Sequence, residues 1–148
     1  GFLSPKGYLF EHCVLFPLKK HRHKSDKEIA TIYGRKAVGN HGSHYLLPTE
    51  RNGLFLPKAG LDPARPVFIT ESIIDALSLF TAGISNALPL LGVNGFLQDH
   101  HDYLKQQNFI HIYIVLNGDP AGNRAAAALK QQLSRDQLAS TIISGTRA

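Results

Sequence analysis

From residue 67 onward the chain alternates short, fully apolar runs with segments of helical spacing. "VFIT" leads into "SIIDALSLFTAG", whose apolar residues fall at 73, 76, 77 and 80 and which ends on Gly83. "NALPLLG" reads as a second strand and "LQDHHDYLKQQN" as a more polar helix. "IHIYIVL" is the strongest strand signal, "NRAAAALKQQL" is helix by propensity, and "STIIS" closes as a strand. Strands apolar on both faces belong to a parallel sheet, and each return to the parallel direction needs a crossover helix. The expected class is therefore α/β, a parallel sheet flanked by helices with right-handed connections.

Residues 1–62 follow a different pattern. "HCVLFPL" and "IATIYGR" are rich in β-branched and aromatic residues and read as strands. Between them, Lys19 to Lys27 is a polar, basic stretch read as a turn. "HYLLP" is a further short strand, and Asn52-Gly53 marks a tight turn. "GLDPARP", with Pro63 and Pro66, breaks regular structure. The expectation is a small, mainly antiparallel, basic β-rich subdomain over 1–62 and an α/β domain over 63–148.

The bulk numbers exclude several classes. No apolar run approaches the roughly 18 residues of a membrane helix, and no signal peptide is visible, so the cytoplasm is the expected compartment. The single Cys13 excludes a disulfide framework and a thiolate zinc cluster within the chain, and its place in a strand run predicts a small buried side chain. His21/His23 and His41/His44 have neither a Cys nor a nearby carboxylate, so zinc is not expected here. The chain opens on Gly1 and contains no Met, as expected of a piece of a longer protein. A net charge of +5, concentrated in the basic turn, points to a polyanionic partner or to a solvated hairpin tip.

Ligands of a parallel α/β sheet gather at the carboxyl ends of its strands. "VFIT" ends on Glu71, and "IHIYIVL" leads to Asn117 and Asp119. If the two strands are neighbours, a carboxylate and an Asn/Asp pair converge. Hard divalent cations such as Mg²⁺ or Mn²⁺ take this kind of oxygen set together with substrate phosphates. Asp75 falls on the Glu71 side of the helix by its i, i+4 relation. Taken singly, Glu71 is also a favourable charge before a helix, and "NGDPAG" an ordinary Asx turn.

"ITESIIDALSL", "NALPLLG" and "IYIVLNGDPAGNRAAAAL" together resemble the Toprim domain, shared by DnaG-type primases, topoisomerases and some nucleases. The Ala-Gly after Asp119 and the Ala-rich helix resemble the primase branch. "VLFPLKK…EIATIYGRKAVGNHGSHYLLPTERNGLF" is similar to the lobe that precedes Toprim in the primase RNA polymerase core. The resemblance implies metal-dependent synthesis of short RNA primers from nucleoside triphosphates on a single-stranded DNA template. Other regions would contact a replicative helicase. It carries catalysis to Glu71, Asp119 and Asp75, and one or two Mg²⁺ or Mn²⁺ ions to Glu71, Asn117 and Asp119. It implies phosphate contacts for Lys19, Lys20, Arg22, Lys24 and Lys27 of the basic turn, and for Arg35, His44 and Arg51 of the groove. Arg124, in the first turn of the helix after the motif, faces either a triphosphate or solvent. Tyr33, Tyr45 and Phe55 are candidates for stacking on bases, with core packing favoured for Phe55.

The match departs from the family at three positions. Asn117 stands where the family has Asp, Ser72 where it has Gly, and His44 where primases often carry Lys. An amide can ligate a cation but brings no charge. Asn117 is therefore compatible with an inactivating change, with a naturally weaker site, or with a catalytically silent nucleic-acid-binding module. A Toprim nuclease or topoisomerase is a further alternative. A receiver-like phosphoacceptor is disfavoured, because it needs an acidic pair after the first strand.

Overall fold

A computed structural model describes residues 3–4, 7–8, 10, 12–21, 28–37, 44–46 and 52–144. The chain divides into two compact units, Gly1–Phe55 and Leu56–Ala148.

The first unit is built of antiparallel strands. β1 (Leu3–Ser4) pairs with β2 (Gly7–Tyr8), and β3 (Cys13–Lys19), β4 (Ile29–Lys36) and β5 (His44–Leu46) form a sheet in that order. Period-2 alternation buries Phe16 and Leu18 of β3 and leaves Leu15 and Pro17 outside, whereas Val14, on the same face as Phe16, is exposed near the start of the strand. Phe16 packs against Tyr33, ring centroids 6.0 Å apart, and edge-on against Phe55 at 5.7 Å. Tyr33, one of the three candidates for stacking on bases, is thus a core residue, and its burial raises the pKa of its phenol. Cys13, expected to be buried, is only half-buried. Leu54 bridges to Lys19 through backbone bonds of 2.8 and 2.9 Å, and no turn is formed at the preceding Asn52-Gly53 pair, where the sequence suggested one. Gly53 has φ +90°, and a Cβ there would lie 2.8 Å from that of Ala30, so this position requires glycine. The tip of the basic turn, residues 22–27, lies outside the described residues.

The second unit follows the predicted alternation: β6 (Val67–Thr70), α1 (Ile73–Thr81), β7 (Ala87–Pro89), α2 (Gln98–Gln107), β8 (Ile112–Val115), α3 (Pro120–Arg135) and β9 (Ser140–Ile142). All strand pairs are parallel, in the order β7-β6-β8-β9. Val67, Ile69, Leu88, Ile112 and Ile114 are completely or almost completely buried, which is why these runs carry no polar alternation. The α/β class with a preceding antiparallel β-rich region is the architecture expected from the sequence.

Two local readings change. In α1 the inward stripe runs through Ile73, Ala76 and half-buried Leu79, whereas Leu77 and Phe80 are 39% and 63% exposed. Spacing alone allowed either of two adjacent stripes, and packing on β6 and β7 selects the i, i+3 one. α3 begins at Pro120, three residues before the Ala-rich segment that predicted it. Asp119 caps it, and Pro at the first helical position sacrifices no hydrogen bond.

Two buried polar side chains fasten the sheet to its loops. Asn86 accepts from the Asp62 N–H (2.9 Å) and donates to the carbonyls of Asp62 (3.0 Å), Arg65 (3.3 Å) and Pro66 (2.9 Å). It thereby orders the "DPARP" segment that leads into β6. Asn86→Ala strands these buried groups and is expected to cost roughly 3 kcal/mol. Urea denaturation measures this, and an unchanged midpoint would contradict the assignment.

His100, 2% exposed, accepts from the Leu97 N–H at Nδ1 (3.1 Å) and donates from Nε2 to the Pro89 carbonyl (3.2 Å). This neutral imidazole joins α2 to the carboxyl end of β7. Burial lowers its pKa from 6.5 to about 4, a fall that the Pro89 carbonyl and Asp99 only partly oppose. The folded pKa lies below the unfolded one, so the unfolded chain takes up the proton first as pH falls. The stability contribution is therefore complete above pH 6.5 and is lost as pH falls toward about 4. The loss amounts to about 3 kcal/mol. Denaturation midpoints across this range test it, with His100→Gln, which has no titrating ring, predicted to flatten the slope.

Candidate functional site

The strand order reverses between β6 and β8, because the chain leaves β6 toward β7 on one side and β8 toward β9 on the other. At such a switch point the loops diverge and leave a crevice at the carboxyl ends of the strands. Thr70 and Val115 are in register as the last residues of the two strands. The residues just beyond them, Glu71 and Asn117, meet there. The Asn117 backbone N–H donates to Glu71 Oε2 (3.0 Å), and the Asn117 amide Nδ2 donates to Oε1 (3.0 Å). Glu71 is half-buried and Asn117 exposed.

The loop after β7 forms a further wall. Leu90 donates to the Thr70 carbonyl (2.8 Å) and Gly92 to that of Glu71 (2.9 Å). A Cβ on Gly95 would lie 2.5 Å from the Leu91 backbone nitrogen, so this turn is closed as tightly as its backbone allows.

Asp75 and Asp119 are each engaged at a helix start. Ser72 caps α1 in a capping box. Its Oγ accepts from the Asp75 N–H (3.2 Å), and its own N–H and Oγ–H donate to Asp75 Oδ2 (3.1 and 2.6 Å). The Ser that stands in place of glycine thus stabilises the helix directly behind Glu71. Asp119 Oδ1 accepts from the Gly122 N–H (2.7 Å). Gly122 is the glycine of the Ala-Gly that follows Asp119, and side-chain patterns alone gave it no physical role. A Cβ there would sit 2.0 Å from the Asn117 carbonyl oxygen, so only glycine lets α3 start against the loop that presents Asn117. Its signal was available in "DPAG", a glycine inside the first helical turn, which otherwise weakens a helix.

Among the described residues, no three His, Cys, Asp or Glu side chains are grouped to hold a metal. The oxygen chemistry of Glu71 and Asp119 suits a hard divalent cation. Asn117 presents its NH₂, not its oxygen, to Glu71.

The remaining candidates are dispersed. Arg124 is exposed on α3 and, with Val93, Asn94, Phe96 and Gln132, lines a groove of about 390 Å³. In the first unit, Arg35 lies in β4 opposite Val14 and His44. Lys19 ends β3, and the next residue, Lys20, is ion-paired with Glu28, which leaves it less available to a phosphate. Arg22, Lys24, Lys27 and Arg51, and the side chains of His44 and Tyr45, lie outside the described residues.

A family model described as Toprim-like matches residues 68–146, which contain the whole crevice. The chain belongs to the Toprim-like family. Its relatives include an uncharacterized protein of Mycoplasma genitalium, MG010, 31% identical over 77 residues that make up 52% of this chain and 35% of MG010. The fold of the Toprim-like unit and of the β-rich unit recurs in solved structures. The Aquifex aeolicus primase (zinc-binding and RNA polymerase domains) matches at TM-score 0.75 and 24% identity, over 99% of this chain and 38% of that one. A DNA primase domain from Pseudomonas aeruginosa matches at 0.71 and 19%, over 97% and 48%. The DnaG primase catalytic domain bound to ssDNA matches at 0.70 and 19%, over 99% and 50%. The chain therefore spans half or less of the length of these relatives, and it shares the fold of DnaG-type primase catalytic cores. Among the described residues, no helix is long and apolar enough to cross a membrane.

Proposed function

We propose that the chain is part of the cytoplasmic catalytic core of a DNA primase, a nucleotidyltransferase that makes short RNA primers on single-stranded DNA. The observation that carries this reading is the meeting of Glu71 and Asn117 at the switch point of a Toprim-like sheet. The likeness to primase cores over both units supports it.

Glu71 and Asp119, with Asn117 beside them, would hold one or two Mg²⁺ or Mn²⁺ ions. When bound, such ions neutralise the triphosphate and favour attack of a 3′-hydroxyl on the α-phosphorus. The chain's own task is to position and to exclude motion. Glu71 is fixed from two sides by Asn117, Asp75 serves the crevice by holding the start of α1, and Gly122 lets the start of α3 lie against the loop that presents Asn117. Arg124 would meet triphosphate oxygens. Arg35, His44 and Arg51 would line the template path, with Lys19, Lys20, Arg22, Lys24 and Lys27 adding sequence-independent contacts to template phosphates.

The bond between Asn117 and Glu71 favours a second reading, a catalytically silent module that binds nucleic acid. Template-directed synthesis from nucleoside triphosphates, in Mg²⁺ and in Mn²⁺, separates the two. RNA products that vanish in Glu71→Gln support the primase reading. Single-stranded DNA binding without products, in both the wild type and Asn117→Asp, would overturn it in favour of the module.

A further inference from the structure

The side chain of Asn117 does what a bound cation would otherwise do. Glu71 is gripped on both oxygens by residue 117, once by its backbone N–H and once by its amide, each at 3.0 Å. Cis oxygens around an octahedral Mg²⁺ with bonds of about 2.0–2.1 Å are about 2.9 Å apart. The Nδ2 to Oε1 separation of 3.0 Å, an ordinary hydrogen-bond length, is close to the edge of such an octahedron, so the hydrogen bond spans the distance that a shared ion would span. With Asp at 117, an oxygen would replace Nδ2, and two like charges so close repel each other unless a cation or a shared proton lies between them.

We propose that Asn117 is a latch that replaces a metal ligand: it holds Glu71 in its ligating posture without a cation and leaves the crevice with weak, optional metal binding. The proposal rests on the reading of Glu71 as a ligand but not on catalysis. The backbone donor persists whatever residue stands at 117, so Glu71 stays in place while the charge of the crevice changes. Asp119 lies two residues further on, committed to the Gly122 N–H, and does not by itself restore the missing charge.

Mn²⁺ titration of the full chain, read by calorimetry and by thermal unfolding with and without the ion, tests the latch. Asn117→Asp is expected to bind Mn²⁺ at least ~10-fold more tightly than the wild type, because a ligand charge has been added. Its unfolding temperature should fall below wild type without metal and recover with it, and the gain should disappear in Asn117→Asp combined with Glu71→Gln. Asn117→Ala removes the amide without adding charge, so it folds without the repulsion. Its Mn²⁺ affinity should equal or exceed wild type, whereas loss of affinity would make Asn117 a ligand and overturn the latch. Equal affinities of wild type and Asn117→Asp would overturn it too, even if primer synthesis is found to depend on Glu71. Tighter Mn²⁺ binding by Asn117→Asp without any primer synthesis would uphold the latch while removing the primase reading.

Discussion

If the chain acts in primer synthesis as proposed, Glu71→Gln is expected to lower that synthesis by about 10²–10³-fold while leaving the fold almost unchanged. The replacement keeps the size of the side chain and one carbonyl oxygen, which can still accept from the Asn117 backbone N–H. The amide of Asn117 can then turn over and accept from the new NH₂, so the lost hydrogen bonds should cost no more than about 1 kcal/mol. What disappears is the negative charge at the switch point, which no other side chain is seen to contribute at that contact. Single-turnover rates with excess nucleotide, beside urea denaturation of the same protein, separate the two effects. A variant that is equally stable and equally active would remove Glu71 from the chemistry.

Gly122→Ala should be nearly as damaging, although it adds one methyl group and improves helix propensity by roughly 1 kcal/mol. The new Cβ would lie 2.0 Å from the Asn117 carbonyl oxygen and 2.9 Å from its carbonyl carbon. Neither atom belongs to a flexible side chain, so α3 or the loop must move by roughly 1 Å to reach ordinary contact distance. Overpacking of this kind costs about 1–3 kcal/mol, and a 1 Å displacement of positioned groups costs on the order of 10²-fold in rate. The expected result is a net loss of stability with a larger loss of activity, since residues 117 and 119 both shift. An Ala variant with wild-type melting and activity would show that α3 does not start so close to the loop.

The contrast between these two positions shows what a sequence can and cannot disclose. Glu71 and Asn117 were legible because each closely follows a fully apolar run. Such runs become adjacent parallel strands with few alternatives, so the ends of β6 and β8 could be placed from the residue pattern alone. Gly122 acts through a contact with a backbone atom, and nothing in the spacing of side chains encodes that distance. His100 sits in a helix of polar composition, where the usual expectation is solvent exposure. In the structure it is buried and bonded to the Pro89 carbonyl of a different element, a contact that its local sequence does not encode. Asn86 opens "NALPLLG", read from the sequence only as a strand, yet its partners lie twenty or more positions earlier in sequence. Asp75 satisfied two local rules at once, the i, i+4 relation to Glu71 and the capping box with Ser72. The capping box, made within one helical turn, is what the structure contains. In α1, Leu77 and Phe80 fit a helical stripe as well as Leu79 does, and only packing against the sheet distinguishes them.

The contact between the side chains of residues 71 and 117 underlies the site, the latch and the catalytic prediction. A double-mutant cycle of Glu71→Ala and Asn117→Ala, read by urea denaturation without metal, measures that contact directly. A coupling of about 1–1.5 kcal/mol is predicted for a charge-assisted hydrogen bond across the two strand ends. Additive effects, with coupling below about 0.3 kcal/mol, would contradict the account.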